Sequence, residues 1–143
     1  ISQRSFRNLQ QKSIVNLIYT YHWVVEKIKH YLSAEDITLQ QYNILRILRG
    51  SYPTPLSTQQ IRERMLDKMS DTSRIVDRLI VKGMVQKNIS RSDKRLVDVI
   101  ITEDGRNFLG KMDLHNEELD NVITNLSDEE MNTLNNLLDK IRG

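Results

Sequence analysis

Residues 70–105 read SDTSRIVDRLIVKGMVQKNISRSDKRLVDVIITEDG, and a change of period inside this stretch decides the fold. From Ser70 to Lys82 the spacing predicts a helix. Thr72, Ile75, Val76, Leu79 and Ile80 share one stripe of it, and the opposite face is polar. Gly83 supplies the left-handed residue that ends such a helix. The pattern then shifts to β-prone runs, Met84–Ser90 and Leu96–Thr102, joined by the charged tip Arg91-Ser92-Asp93-Lys94-Arg95 as a hairpin. Thr102 before Glu103 and Asp104 reads as an N-cap, with acids at the positive end of the following helix.

Working outward, Ser57 and Gln60 form a capping box that opens a short helix, with Ile61, Met65 and Met69 expected on one side. Thr38 and Gln41 form another, and Tyr42, Leu45 and Leu48 repeat until Gly50 is expected to stop that helix. Residues 50–55, with Pro53 and Pro55, read as a loop. A long amphipathic helix is expected over 9–32, and a closing one after the Ser127–Glu130 capping box, with Met131, Leu134, Leu137, Leu138 and Ile141 on one face. The expected fold is mainly α with a small β-hairpin wing, a winged helix-turn-helix between long N- and C-terminal helices. Residues 1–143 read as a single domain, with the winged lobe at 38–106 and helical regions at 9–32 and 107–143.

Net charge is +2, yet its distribution is uneven. Residues 46–106 hold thirteen Lys/Arg against eight Asp/Glu, whereas residues 107–143 hold three against eight. A local excess of positive charge suits a polyanion, because phosphates are neutralised by neighbouring cations and not by the chain average. The absence of cysteine excludes thiol redox chemistry and thiolate metal sites, and it fits a cytoplasmic location. No apolar run approaches the ~18 residues of a membrane-spanning helix. The opening Ile1-Ser2-Gln3-Arg4 lacks methionine and any secretory pattern, as expected of a chain trimmed at its start. There is no nucleophile motif and no Gly-rich phosphate loop, so neither catalysis nor a cofactor is expected.

The helices and hairpin carry a family resemblance. Leu56-Ser57-Thr58-Gln59-Gln60-Ile61, Ser73-Arg74-Ile75-Val76-Asp77-Arg78-Leu79 and Lys82-Gly83-Met84-Val85 resemble the reader region of the MarR family. Asp93-Lys94-Arg95 followed by Thr102-Glu103-Asp104-Gly105 is similar to its wing pattern of Asp-x-Arg, a strand, then Thr-x-x-Gly. The resemblance spans roughly residues 38–110 and implies a DNA-binding regulator of transcription, a repressor acting as a homodimer. Two departures bear on operator choice: the long loop with Pro53 and Pro55, and Met69-Ser70-Asp71 at the entry to the reader helix.

An α-helix fits the major groove of B-DNA, and bases are read from the face opposite the helix's core stripe. Ser70, Ser73, Arg74, Asp77 and Arg78 are expected there, with Arg74 and Arg78 contacting bases or phosphates and the serines adding shorter hydrogen bonds. Asp77 would repel phosphate. Two roles stay open for it, orienting Arg74 or Arg78 or accepting from a cytosine amine. Arg91, Lys94 and Arg95 concentrate positive charge at the wing tip, suited to reaching the minor groove. The resemblance further implies that Arg95 inserts while Asp93 holds it.

One reader helix covers too little DNA for genomic discrimination, so a two-fold pair on a palindrome is expected. Leu119, Val122, Ile123 and Leu126 add to the apolar surface of the terminal helices that pairing would use. The resemblance also implies a small aromatic effector. Tyr19, His22, Trp23, Tyr42 and Tyr52 could line its pocket, but aromatics on helices commonly serve packing, and no ligand residue is assigned. His22, Glu26 and His30 lie at four-residue steps, too widely spread for one comfortable metal site, and no metal is expected. The rival to a DNA regulator is a winged helix used for protein or RNA contacts, since fold alone does not dictate the partner.

Overall fold

Local hydrogen bonds set the helix starts in the computed structural model, which describes residues 5–143; the opening Ile1–Arg4, read above as a trimmed start, lies outside the described residues. Thr38 caps α2 (Leu39–Ser51): its Oγ1 accepts from the Gln41 amide at 3.1 Å, and Gln41 Oε1 accepts from the Thr38 amide at 3.1 Å. Ser57 and Gln60 do the same for α3 (Thr58–Arg64), and Ser127 and Glu130 for α7 (Asp128–Arg142). Each reciprocal pair satisfies two amides left without an intrahelical partner, worth about 1 kcal/mol per cap.

Two units can be distinguished among the described residues, 28–115 and 5–27 with 116–143. The first contains α2, β1 (Leu56–Ser57), α3, α4 (Thr72–Val81), β2 (Val85–Ile89), β3 (Val97–Ile101) and α5 (Glu103–Asp113). Its core joins Ile44, Leu45 and Leu48 of α2 to Ile61 of α3, Val76 and Leu79 of α4, and Leu109 and Met112 of α5. The sheet contributes Leu56, Val85, Val99 and Ile101 to the same core. β3 is the central strand: it pairs antiparallel with β2, Val85 opposite Ile101, and with β1, Leu56 opposite Val99.

Three local expectations need correction. Gly50 does not stop α2, which runs through it to Ser51; Gly50 is not among the glycines with positive φ, and Tyr52 is the cap. Leu56–Ser57 form a third strand where only a loop and a helix start were expected, because two residues are too few to show an alternating pattern. Met69 does not share the side of Ile61 and Met65; α3 ends at Arg64, so the helical period does not reach position 69, which is exposed. Gly83 does take φ +74°, with its amide donating to Ile80 O and that of Met84 to Leu79 O, the paired bonds of a Schellman stop.

The other unit contains the first part of α1 (Leu9–Ser33), the short α6 (Glu117–Asp120), a 3-10 turn at Asn121–Ile123 and α7. α7 buries none of its residues, and the only buried residue of α1 is Leu32, which belongs to the 28–115 unit. Among the described residues no helix is long and apolar enough to cross a membrane.

Candidate nucleic-acid interface

α4 begins at Thr72, two residues later than the sequence pattern suggests, because Asp71 is its cap, its Oδ1 accepting from the Arg74 amide at 3.2 Å. Ser70 consequently lies in the turn before the helix. Its Oγ is buried and, among the described residues, has no hydrogen-bond partner. This corrects the placement of Ser70 on the reading edge. The outer face of α4 consists of Ser73, Arg74, Asp77 and Arg78, all exposed. Thr72, Val76 and Leu79 are buried on the opposite face, and the Thr72 hydroxyl donates to Met65 Sδ at 3.5 Å, joining α4 to the end of α3.

The wing is anchored where β3 meets α5. Thr102 Oγ1 accepts from the Gly105 amide at 3.1 Å and donates to Gly83 O at 2.7 Å, while the Thr102 amide donates to Met84 O. A Cβ at position 105 would stand 2.3 Å from Met84 O and 2.7 Å from Ile101 Cγ1, so only glycine lets α5 pass this close to the base of the hairpin. The Thr-x-x-Gly pattern is therefore a packing requirement.

At the tip, Asp93 grips Arg95 through both carboxylate oxygens, with Oδ1 at 3.1 Å from Nε and Oδ2 at 3.0 Å from Nη2, and Oδ1 also accepts from the Arg95 amide at 3.0 Å. This fork geometry fixes the guanidinium plane yet leaves the Arg95 side chain 89% exposed. The guanidinium holds the Asp93 carboxyl below its ordinary range, and the carboxylate in turn raises the Arg95 pKa. Arg91 precedes the pair and Lys94 lies between its two members in sequence, both exposed.

Asp77 is hydrogen-bonded to neither Arg74 nor Arg78. Its Oδ1 lies 2.6 Å from Nζ of Lys87 on β2, so helix and wing strand are joined by an ion pair. Lys87 had no part in the sequence reading. Strand alternation could have pointed to it, since Lys87 shares a strand face with Val85 and is opposite the buried Val99, on the side where α4 packs.

Charge pairing separates the cations of the 28–115 unit. Arg46 and Arg49 are bound to Asp113, Lys82 to Asp36 and Lys111 to Glu35. Arg106 stacks over Tyr52 at 4.0 Å. Among the described residues Arg74, Arg78, Arg91 and Lys94 have no carboxylate partner, nor do Arg62 and Arg64 on α3, which the sequence reading also passed over.

Tyr19, His22 and Trp23 line an open depression on α1 with Val15, Ile18 and Glu26. Within the 28–115 unit, the Tyr42 hydroxyl accepts from Arg46 and the Tyr52 ring lies under Arg106. Among the described residues no three His, Asp or Glu side chains are grouped to hold a metal ion.

The model of the MarR family matches residues 37–97. The multiple antibiotic resistance protein MarR of Salmonella typhimurium is 32% identical over 133 residues, covering 87% of this chain and 88% of the relative. A crystal structure of a mutant MarR from E. coli complexed with operator DNA superposes with a TM-score of 0.73 at 28% identity, covering 90% of this chain and 95% of that one. BpsR of Bordetella bronchiseptica, whose DNA binding is regulated by 6-hydroxynicotinic acid, shares the fold with a TM-score of 0.84 at 19% identity, covering 96% and 98%.

Proposed function

The chain belongs to the MarR family of transcriptional regulators, and from that membership we propose that it is a cytoplasmic, ligand-responsive repressor that binds a palindromic operator on double-stranded DNA as a homodimer. The observation that carries the reading is electrostatic. The cations of α4 and the wing tip lack carboxylate partners or, like Arg95, stay exposed while held, whereas those of α2 and α5 are paired or stacked. Unpaired guanidinium groups on a helix outer face suit the major groove, and an exposed arginine at a hairpin tip suits the minor groove.

In this reading residues 38–106 form the DNA-binding lobe, and 9–32 with 107–143 supply the dimer contacts. Ile14, Ile18 and Tyr21 on α1 and Leu137 and Ile141 on α7 are each more than half exposed, more apolar surface than a monomer comfortably offers to water. A two-fold pair would cover it and set two reader helices about 34 Å apart, matching successive turns of the duplex. The effector is assigned to no residue set; the depression beside Tyr19, His22 and Trp23 is the aromatic surface that favours a small aromatic acid.

Selection of bound sequences from a random duplex pool tests the proposal: a two-fold-symmetric motif, bound with steep salt dependence, is expected. Salt-insensitive binding, or no enriched motif, would overturn it. Arg95→Ala is expected to weaken selected and random duplexes alike, lowering the salt slope by about 0.9. Full affinity of that variant at moderate salt would remove the wing from the mechanism.

A further inference from the structure

Asp77 and Lys87 cancel each other on a surface whose other cations are unpaired or, like Arg95, exposed while held. A carboxylate on the outer face of a reader helix repels phosphate, and an ammonium on the adjoining strand attracts it. Here Lys87 Nζ lies 2.6 Å from Asp77 Oδ1, with the Lys87 side chain 33% exposed and that of Asp77 61% exposed. Arg95 provides the contrast: Asp93 holds it too, but the grip leaves its guanidinium presented to solvent. Lys87 instead has its charge turned back onto α4. Its Cβ is on the core side of β2, so the flexible stem must run outward along the sheet before the ammonium reaches a partner.

We propose that Asp77 is a positioning residue that withholds Lys87 from DNA phosphates, thereby limiting the sequence-independent part of DNA affinity. The inference rests on the DNA-binding reading above. An ammonium that neutralises a phosphate releases a counterion and adds about 0.9 to the slope of log affinity against log salt, whatever the base sequence. A genome presents a vast excess of non-specific sites, so one fewer phosphate contact per protomer shortens the time spent on each. Asp77 also explains why the wing strand can carry a lysine this near the reader helix without that lysine acting as another generic anchor. Because the pair is exposed, it is a soft restraint, of the size that a single surface ion pair supplies.

The test measures binding of the full chain to a mixed-sequence duplex across a salt series, for wild type, Asp77→Ala, Lys87→Met and the double variant. Alanine suits a helix, and thermal melts monitor folding. Asp77→Ala is expected to bind about threefold to fivefold more tightly at low salt, with the slope steeper by about 0.9. Lys87→Met is expected to leave the slope within a few tenths of wild type, and the double variant to match Lys87→Met in slope. A merely structural role for the pair would lower stability without steepening the slope. Two results would overturn the proposal: a slope reduced by about 0.9 in Lys87→Met alone, which means the lysine already contacts phosphate, or a gain from Asp77→Ala that survives in full in the double variant. The Lys87→Met arm decides the matter even if Asp77→Ala fails to fold. Absence of salt-dependent duplex binding by the wild type is a separate outcome, which removes the DNA-binding reading and this inference with it.

Discussion

Residues 28–115 bury fifteen apolar side chains, whereas none of the buried apolar side chains lies in the segments 5–27 and 116–143. Both regions have amphipathic helices with sound caps, and α7 has the same kind of capping box as α2. The difference is that α2 finds α4, α5 and the sheet to pack against, while α7 leaves Leu134, Leu137 and Ile141 in contact with water. A stripe of apolar residues specifies that a helix wants a partner. It does not specify whether that partner belongs to the same chain.

That contrast can be broken most sharply at its two ends. Leu79→Ala removes a fully buried side chain of α4 and is expected to cost about 2–5 kcal/mol, independent of protein concentration, by denaturant unfolding. Leu137→Ala is expected to cost less than about 1 kcal/mol of the 28–115 unit's stability, and to shift the melting temperature only in a concentration-dependent way. Equal, concentration-independent losses would show that α7 belongs to a monomer core. At the wing base, Gly105→Ala drives a Cβ against Met84 O and Ile101, with an expected loss of about 1–3 kcal/mol and weakened DNA binding, read by melting and by duplex titration. Wild-type stability there would mean that the hairpin base yields freely.

The mildest effect concerns the exposed wing tip. Arg95 depresses the Asp93 pKa below its ordinary 3.8, so the stabilisation from this pair is complete above that value and lost as pH falls through the lower, folded value. Carboxyl NMR titration is expected to give a midpoint under 3.8 for Asp93, moving up to it in Arg95→Ala. A wild-type midpoint at or above 3.8 would show that the grip does not form in solution.

Much of the candidate site's local geometry is legible in the sequence. Arg74, Arg78, Arg91, Lys94 and Arg95 are exposed as the helical stripe and the hairpin pattern require, and Asp93 meets Arg95 two residues away. Ser70 falls before the helix and not on its outer face because Asp71 caps α4, and the spacing of apolar residues does not mark which polar residue ahead of them takes the cap. Lys87 was missed because its importance comes from Asp77, on a different element.

The sequence alone determined what is settled within a few residues: the capping boxes at Thr38, Ser57 and Ser127, the left-handed stop at Gly83, and the stripe that turns Arg74 and Arg78 outward. Tertiary structure decided what depends on register between elements: the third strand at Leu56, the requirement for glycine at 105, and the partner of Asp77. The physical reason is one of range. A cap is made by neighbours that the chain itself holds together, whereas an ion pair between helix and strand exists only once packing of the core has set their distance and rotation.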